Sequence, residues 1–192
     1  MELMELLKTR RTYRRFDQSR PLPEEVISDI NESIRLASSA RNGQALRFLA
    51  ITDPKKVEEI FPNTHFAGAL PPEVGTPKEG EHPVAYYAVL YDGSKSSALV
   101  DTDAGLAISN MTLAAWNRGV GSVIMGAIDR KAIKEILQLE DPWEINLVVA
   151  FGYPTHKSLI VDMKDDNTAY YLDENNDYCV PKRSVEELVK RV

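Results

Sequence analysis

Arg10, Arg11, Arg14, Arg15 and Arg20 crowd the stretch from position 10 to 20 of a 192-residue chain whose net charge is −6. Only Asp17 opposes them there, so this is a local reversal of sign. A guanidinium presents a planar fork of donors that matches phosphate oxygens, and Thr12 adds a hydroxyl. If the segment is extended, alternate side chains share a face. Such a run can grip a phosphate, or it can be a solvated turn whose arginines pair with surface carboxylates.

A second polar group, Ser38, Ser39, Asn42 and Gln44, follows shortly before an apolar run. Amides and hydroxyls of this kind offer donors and acceptors together, which suits the polar edge of a heterocycle, although the same residues are ordinary at helix ends and turns. A third segment, Gly119 to Gly126, is not a dinucleotide-binding glycine fingerprint, because only its first two glycines have that spacing. It reads as turn plus strand, and Gly126 would let backbone approach a flat ligand closely. Lys182 and Arg183 precede a Ser184-to-Glu187 capping box, so a basic pair stands at a helix start, where an anion is favoured. Phosphate-loop, nucleophile-elbow, zinc-protease and paired-cysteine signatures are missing from the sequence. His65, Trp116 and Trp143 read as solvated or core residues rather than as a site.

The elements that must position these groups follow from periodicity. Residues 2–8 read as a short helix. Val26, Ile30, Ile34 and Ala37 draw one stripe along residues 23–38. An apolar run at 46–52 ends in Asp53-Pro54, a cap with proline at the first helical position, ahead of Val57, Ile60 and Phe61. Prolines and glycines forbid a long element from 62 to 83, as in a lid or binding loop. Residues 84–91 read as a buried strand, 99–118 as a long helix stopped by Gly119, and 121–126 as a strand. A helix capped by Asp129 and a strand at 145–151 complete the order. From 155 to 181 the pattern is polar and irregular, a tail expected to wander or to wrap another surface. The whole is a layered α+β or α/β domain.

With 43% hydrophobic residues, a chain of this length can bury a substantial core without staples. One cysteine, Cys179, forms no internal disulfide, and the three histidines show no ligand spacing, so a transition-metal site is not expected. The acidic balance argues against a nucleic-acid-binding surface, and no run spans a bilayer or resembles a signal peptide. A cytoplasmic location is expected.

Taken in order, Arg10-Arg11-Thr12-Tyr13-Arg14-Arg15-Phe16, Ala37 to Gln44, Asp103-Ala104-Gly105 through Asn110, and Leu113 to Trp116 with Gly119-Val120-Gly121 resemble the FMN-dependent nitroreductase family over almost the whole chain. The resemblance implies an α+β three-layer sandwich, a central, mostly antiparallel sheet flanked by helices, in an intertwined homodimer. It implies one FMN-binding domain over residues 1–192, with 155–192 as an arm contacting the partner subunit. By the same resemblance, Arg10, Arg11, Thr12 and Arg14 hold the FMN phosphate and ribityl chain, with Lys182 and Arg183 completing the cage. Ser38, Ser39, Asn42 and Gln44 reach the flavin from the other subunit, and Ile124, Met125 and Gly126 line its ring. NADH or NADPH would be the reductant and a nitroaromatic, quinone or other small molecule the acceptor, in ping-pong turnover with no catalytic side chain. A flavin carrier, a flavin-modifying protein and a phosphate or nucleic-acid module are the alternative readings. Ser38 and Ala45-Leu46 stand where the family has a proline and a proline-tryptophan pair.

Overall fold

The computed structural model describes residues 2–94 and 99–192. Helix α1 (Leu3–Thr9) opens the chain, and residues 10–17 then run extended to helix α2 (Glu24–Arg35). Strand β1 (Leu46–Ile51) leads into α3 (Pro54–Ile60) and the single turn α4 (Pro72–Gly75). Next come β2 (Ala85–Asp92), the long α5 (Val100–Asn117), β3 (Gly121–Met125), α6 (Arg130–Ile136) and β4 (Trp143–Gly152). Three short strands, β5 (Ser158–Asp162), β6 (Tyr171–Leu172) and β7 (Tyr178–Lys182), precede α7 (Val185–Leu188).

The main sheet is fully antiparallel, in the order β1-β2-β4-β3. Its central strand β2 sends Ala85, Tyr87 and Val89 to one core and Tyr86, Ala88 and Leu90 to the other. This is the period-two alternation of a strand covered on both faces, and it explains why the sequence there is apolar without interruption. On one face lie Val26 and Ile30 of α2 with Ala104, Ile108, Met111 and Ala115 of α5. On the other lie Val57 and Ile60 of α3 and Ile133 of α6. Helix, sheet and helix form the three layers expected.

The helix boundaries follow their chemistry. Asp53 and Asp129 accept hydrogen bonds from Lys55 and Ala132 backbone N–H groups and so cap α3 and α6. Pro23 stands just outside α2 rather than in its first turn. Helix α5 ends where Gly119 takes a φ of +75°, its N–H donating to the Trp116 carbonyl and that of Val120 to Ala115. None of the described helices is long and apolar enough to cross a membrane.

The tail departs from its sequence reading. Residues 158–182 form a second sheet in the order β5-β7-β6, with β5 and β7 parallel, and Tyr178 and Cys179 are buried. Much of the tail therefore packs on its own chain. Only α7, which buries no residue, retains the character of a free arm.

Candidate functional site

Residues 10–17 lie along the free edge of β3 and against the end of β4. Thr12 bridges Ser122 in parallel, the Tyr13 N–H donates to the Ser122 carbonyl at 2.9 Å, and the Asp17 N–H donates to Tyr153 at 2.8 Å. Two glycines make this approach possible. A Cβ on Gly121 would stand 2.8 Å from the Tyr13 ring, and one on Gly152 would stand 2.7 Å from Phe16. Neither gap admits a side chain. Tyr13 and Phe16 plug the core below, with Tyr13 stacked on Trp116 at a ring separation of 4.9 Å. Burial pushes the Tyr13 hydroxyl up to about 12.

The arginines around these plugs are held without counter-charge among the described residues. Arg14 is only 9% exposed, and its guanidinium lies 4.3 Å from the centre of the Tyr170 ring and 4.8 Å from that of Tyr178. The Nε groups of Arg10, Arg11, Arg14 and Arg15 are all buried without an acceptor. Arg11 donates to the Leu7 carbonyl and Arg15 to the Asn176 carbonyl. Among the described residues, none of the four makes an ion pair with a carboxylate. Burial lowers the pKa of Arg10, Arg11 and Arg14 from the ordinary arginine value. The solvated, carboxylate-paired turn is therefore not what the chain builds. Arg20 stands apart, its guanidinium 3.4 Å from the centre of the Tyr153 ring.

On β3 the three candidate residues divide by strand alternation. Ile124 is 44% exposed, Met125 is buried in the core, and Gly126 is exposed just beyond the strand. A ligand at this edge would meet the Ile124 side chain and the backbone at 125 and 126, not the Met125 thioether.

Ser38, Ser39, Asn42 and Gln44 lie at the opposite edge, between α2 and β1. Ser38, Ser39 and Gln44 border a cavity of about 320 Å³ that Phe48, Asp103 and Ala107 also line. The loop is internally tied. Buried Asp103 accepts from the Ala40 N–H at 2.8 Å, Ser39 Oγ accepts from the Gln44 N–H, and the Gln44 amide donates to Asn42. Arg41, Asn42 and Gln44 all take φ near +50°, at 54°, 54° and 46°. Three left-handed residues that are not glycine represent stored strain, a recurrent property of binding loops. With β1 and β3 at opposite edges, three strand spacings or about 14 Å separate them, and one chain does not join this loop to the arginines.

Lys182 and Arg183 are likewise separate. Tyr178 starts β7 beneath Arg14, and Lys182 lies four residues, about 13 Å, further along that strand. Arg183 pairs with Asp166 and, at 3.8 Å, with Glu187. Sequence reasoning did not anticipate the aromatic shelf of Tyr170 and Tyr178. Its signal was the presence of tyrosines within an otherwise polar tail.

A family model described as "Nitroreductase family" matches residues 7–79 and 83–153. A protein of Archaeoglobus fulgidus, named as an NADH dehydrogenase/NAD(P)H nitroreductase, is 28% identical over 180 residues, covering 90% of this chain and 92% of its own. Among solved structures, a nitroreductase family protein from Clostridium difficile 630 superimposes with a TM-score of 0.66 at 21% identity, covering 81% of this chain and 86% of its own. An FMN-dependent nitroreductase from another strain of that species gives 0.67 at 19% identity, covering 85% and 92%.

Proposed function

The chain belongs to the nitroreductase family, and from that premise we propose that it is an FMN-dependent oxidoreductase using NADH or NADPH to reduce a small-molecule acceptor by a ping-pong mechanism. The observation that carries the reading is the cluster of Arg10, Arg11, Arg14 and Arg15, half-buried to buried and without carboxylate partners among the described residues. Desolvated cations without counter-charge are costly, and a phosphate dianion offsets that cost with charge-assisted hydrogen bonds. The donor set therefore fits the phosphate end of FMN.

When bound, FMN would supply the redox chemistry, namely hydride acceptance from a nicotinamide and electron donation to the acceptor. The chain's own part is to bind, orient and shield. Arg10, Arg11, Thr12 and Arg14 hold the phosphate and ribityl chain, whereas Lys182, four residues along β7 from Tyr178, and Arg183, paired with Asp166 and Glu187, stand apart from that cluster within one chain. Exposed Ile124 and the backbone at Met125 and Gly126 would line the ring. Ser38, Ser39, Asn42 and Gln44 come from a second copy, because within one chain they lie at the far edge of the sheet. No side chain serves as a covalent catalyst.

The second copy has independent support. Helices α1 and α7 bury no residue, yet Leu3, Met4 and Leu7 are 62%, 62% and 40% exposed and Val185, Leu188 and Val189 are 70%, 67% and 63% exposed. Apolar faces of this kind call for a partner, and residues 183–192 form the arm that reaches it. The test is titration of the purified chain with FMN and with riboflavin, followed by anaerobic mixing with NADH and NADPH and then with nitroaromatic and quinone acceptors. Tight FMN uptake and bleaching by a nicotinamide nucleotide are expected. Uptake without bleaching would identify a carrier instead, and no uptake would remove the reading.

A further inference from the structure

A cavity of about 400 Å³, with Tyr13 in its wall and none of Arg10, Arg11, Arg14 and Arg15 among its lining residues, lies between α1, the end of α5 and the start of β5. Its volume is that of a small-molecule site. Tyr13 and Trp116 form an aromatic wall whose polar atoms are already partnered. The Trp116 indole N–H donates to Thr9 Oγ1 at 2.8 Å, Thr9 Oγ1 donates to the Glu5 carbonyl at 2.7 Å, and the Tyr13 hydroxyl donates to the Thr9 carbonyl at 3.3 Å.

Two other polar side chains on the wall are different. Ser158 is 7% exposed and its Oγ has no hydrogen-bond partner. His156 is 9% exposed, and neither ring nitrogen completes a hydrogen bond, although the Arg15 backbone faces the ring. Burial, with Arg15 and Arg14 nearby, lowers its pKa to about 4, so it is a neutral donor and acceptor near pH 7. Leaving buried polar groups unpaired is costly, and such exceptions are concentrated where a ligand or water completes them. Lys8 and Lys157 also line the cavity, no carboxylate lines it, and neither lysine is ion-paired among the described residues. The start of β5 is held in place as the Lys157 N–H donates to Asp177 at 2.7 Å and its carbonyl accepts from the Tyr178 N–H.

We infer that this cavity is a second ligand site, separate from the flavin site, that binds a small single-ring aromatic carboxylate, its ring against Tyr13 and Trp116 and its carboxylate reached by Ser158, His156, Lys8 and Lys157. The hydroxyl and the two ammonium groups donate to the anion, and the aromatic wall selects a flat, apolar body.

The experiment is calorimetric titration of the full-length protein with benzoate and with benzamide, each with and without saturating FMN. Saturable benzoate binding of one equivalent per chain is expected, unchanged by FMN and about tenfold tighter than benzamide. Ser158→Leu, which fills the cavity, should abolish it. Lys8→Gln combined with Lys157→Gln leaves the core untouched and should weaken it by about tenfold or more. Competition between benzoate and FMN, equal binding of benzamide, indifference to the lysine pair, or no binding would each overturn the assignment.

Discussion

The Arg14 guanidinium rests on the face of Tyr170, 4.3 Å from the ring centre, so a residue of the polar tail sets the position of a residue near the chain's start. A cation over an aromatic face is held by about 0.5–2 kcal/mol. Tyr170→Leu keeps the charge of Arg14 but removes this seat. It should weaken FMN binding several-fold, measured by quenching of flavin fluorescence, while circular dichroism stays unchanged.

Arg14→Ala removes a buried cation directly. A charge-assisted hydrogen bond is worth about 1.5–3 kcal/mol, so FMN affinity should fall about 10- to 100-fold. Riboflavin, which lacks the phosphate, should lose far less. Equal losses for both flavins would move Arg14 away from the phosphate.

His156 gives stability a pH dependence. Its folded pKa of about 4 lies below the ordinary value of 6.5, so between those values the unfolded chain takes up a proton that the folded chain refuses. Stability should be intact above pH 6.5 and fall as the pH drops towards 4, by up to about 3 kcal/mol. His156→Phe should flatten that part of a urea-denaturation profile. A variant with the same acid slope as the parent would assign the loss to other groups.

Gly121→Ala places a methyl against both Tyr13 and the Pro154 ring, at 2.8 and 2.7 Å. Overpacking of this kind costs about 1–3 kcal/mol. The midpoint of chemical denaturation should drop, and FMN affinity should fall with it, because the arginine run is displaced as a unit. Gly68→Ala, where a Cβ meets nothing within 4 Å, is the control.

Leu3→Asp combined with Leu7→Asp puts charge on the uncovered face of α1 without touching the core. Sedimentation should show a shift from dimer towards monomer, accompanied by loss of FMN. A monomer that binds FMN as tightly as the parent would contradict the shared site.

The parts of this fold that sequence revealed are those in which local chemistry and burial agree. Asp53-Pro54, Asp129 and Ser184 announced their caps, and uninterrupted apolarity announced β2. The short strands of the tail stayed hidden because β6 has two residues and β5 pairs in parallel with β7 across the intervening segment, leaving little local pattern. The arginine run was legible as a cluster, but its lack of carboxylate partners was not, since pairing depends on distant chain. Met125 shows a similar limit. The family resemblance set it beside Ile124 along the flavin ring, whereas the pleat sends its side chain into the core and leaves only its backbone for that role. The left-handed conformations of Arg41, Asn42 and Gln44 give no compositional sign, because glycine supplies only position 43.

The contact between Arg15 and Asn176 joins residues 161 positions apart. During translation at roughly 5–20 residues per second, the basic stretch is made before Tyr170 and Tyr178 and must wait for that aromatic support. A nascent chain stalled before residue 170 would leave the Arg14 guanidinium without its seat, so the basic run takes its folded arrangement only after both tyrosines are made.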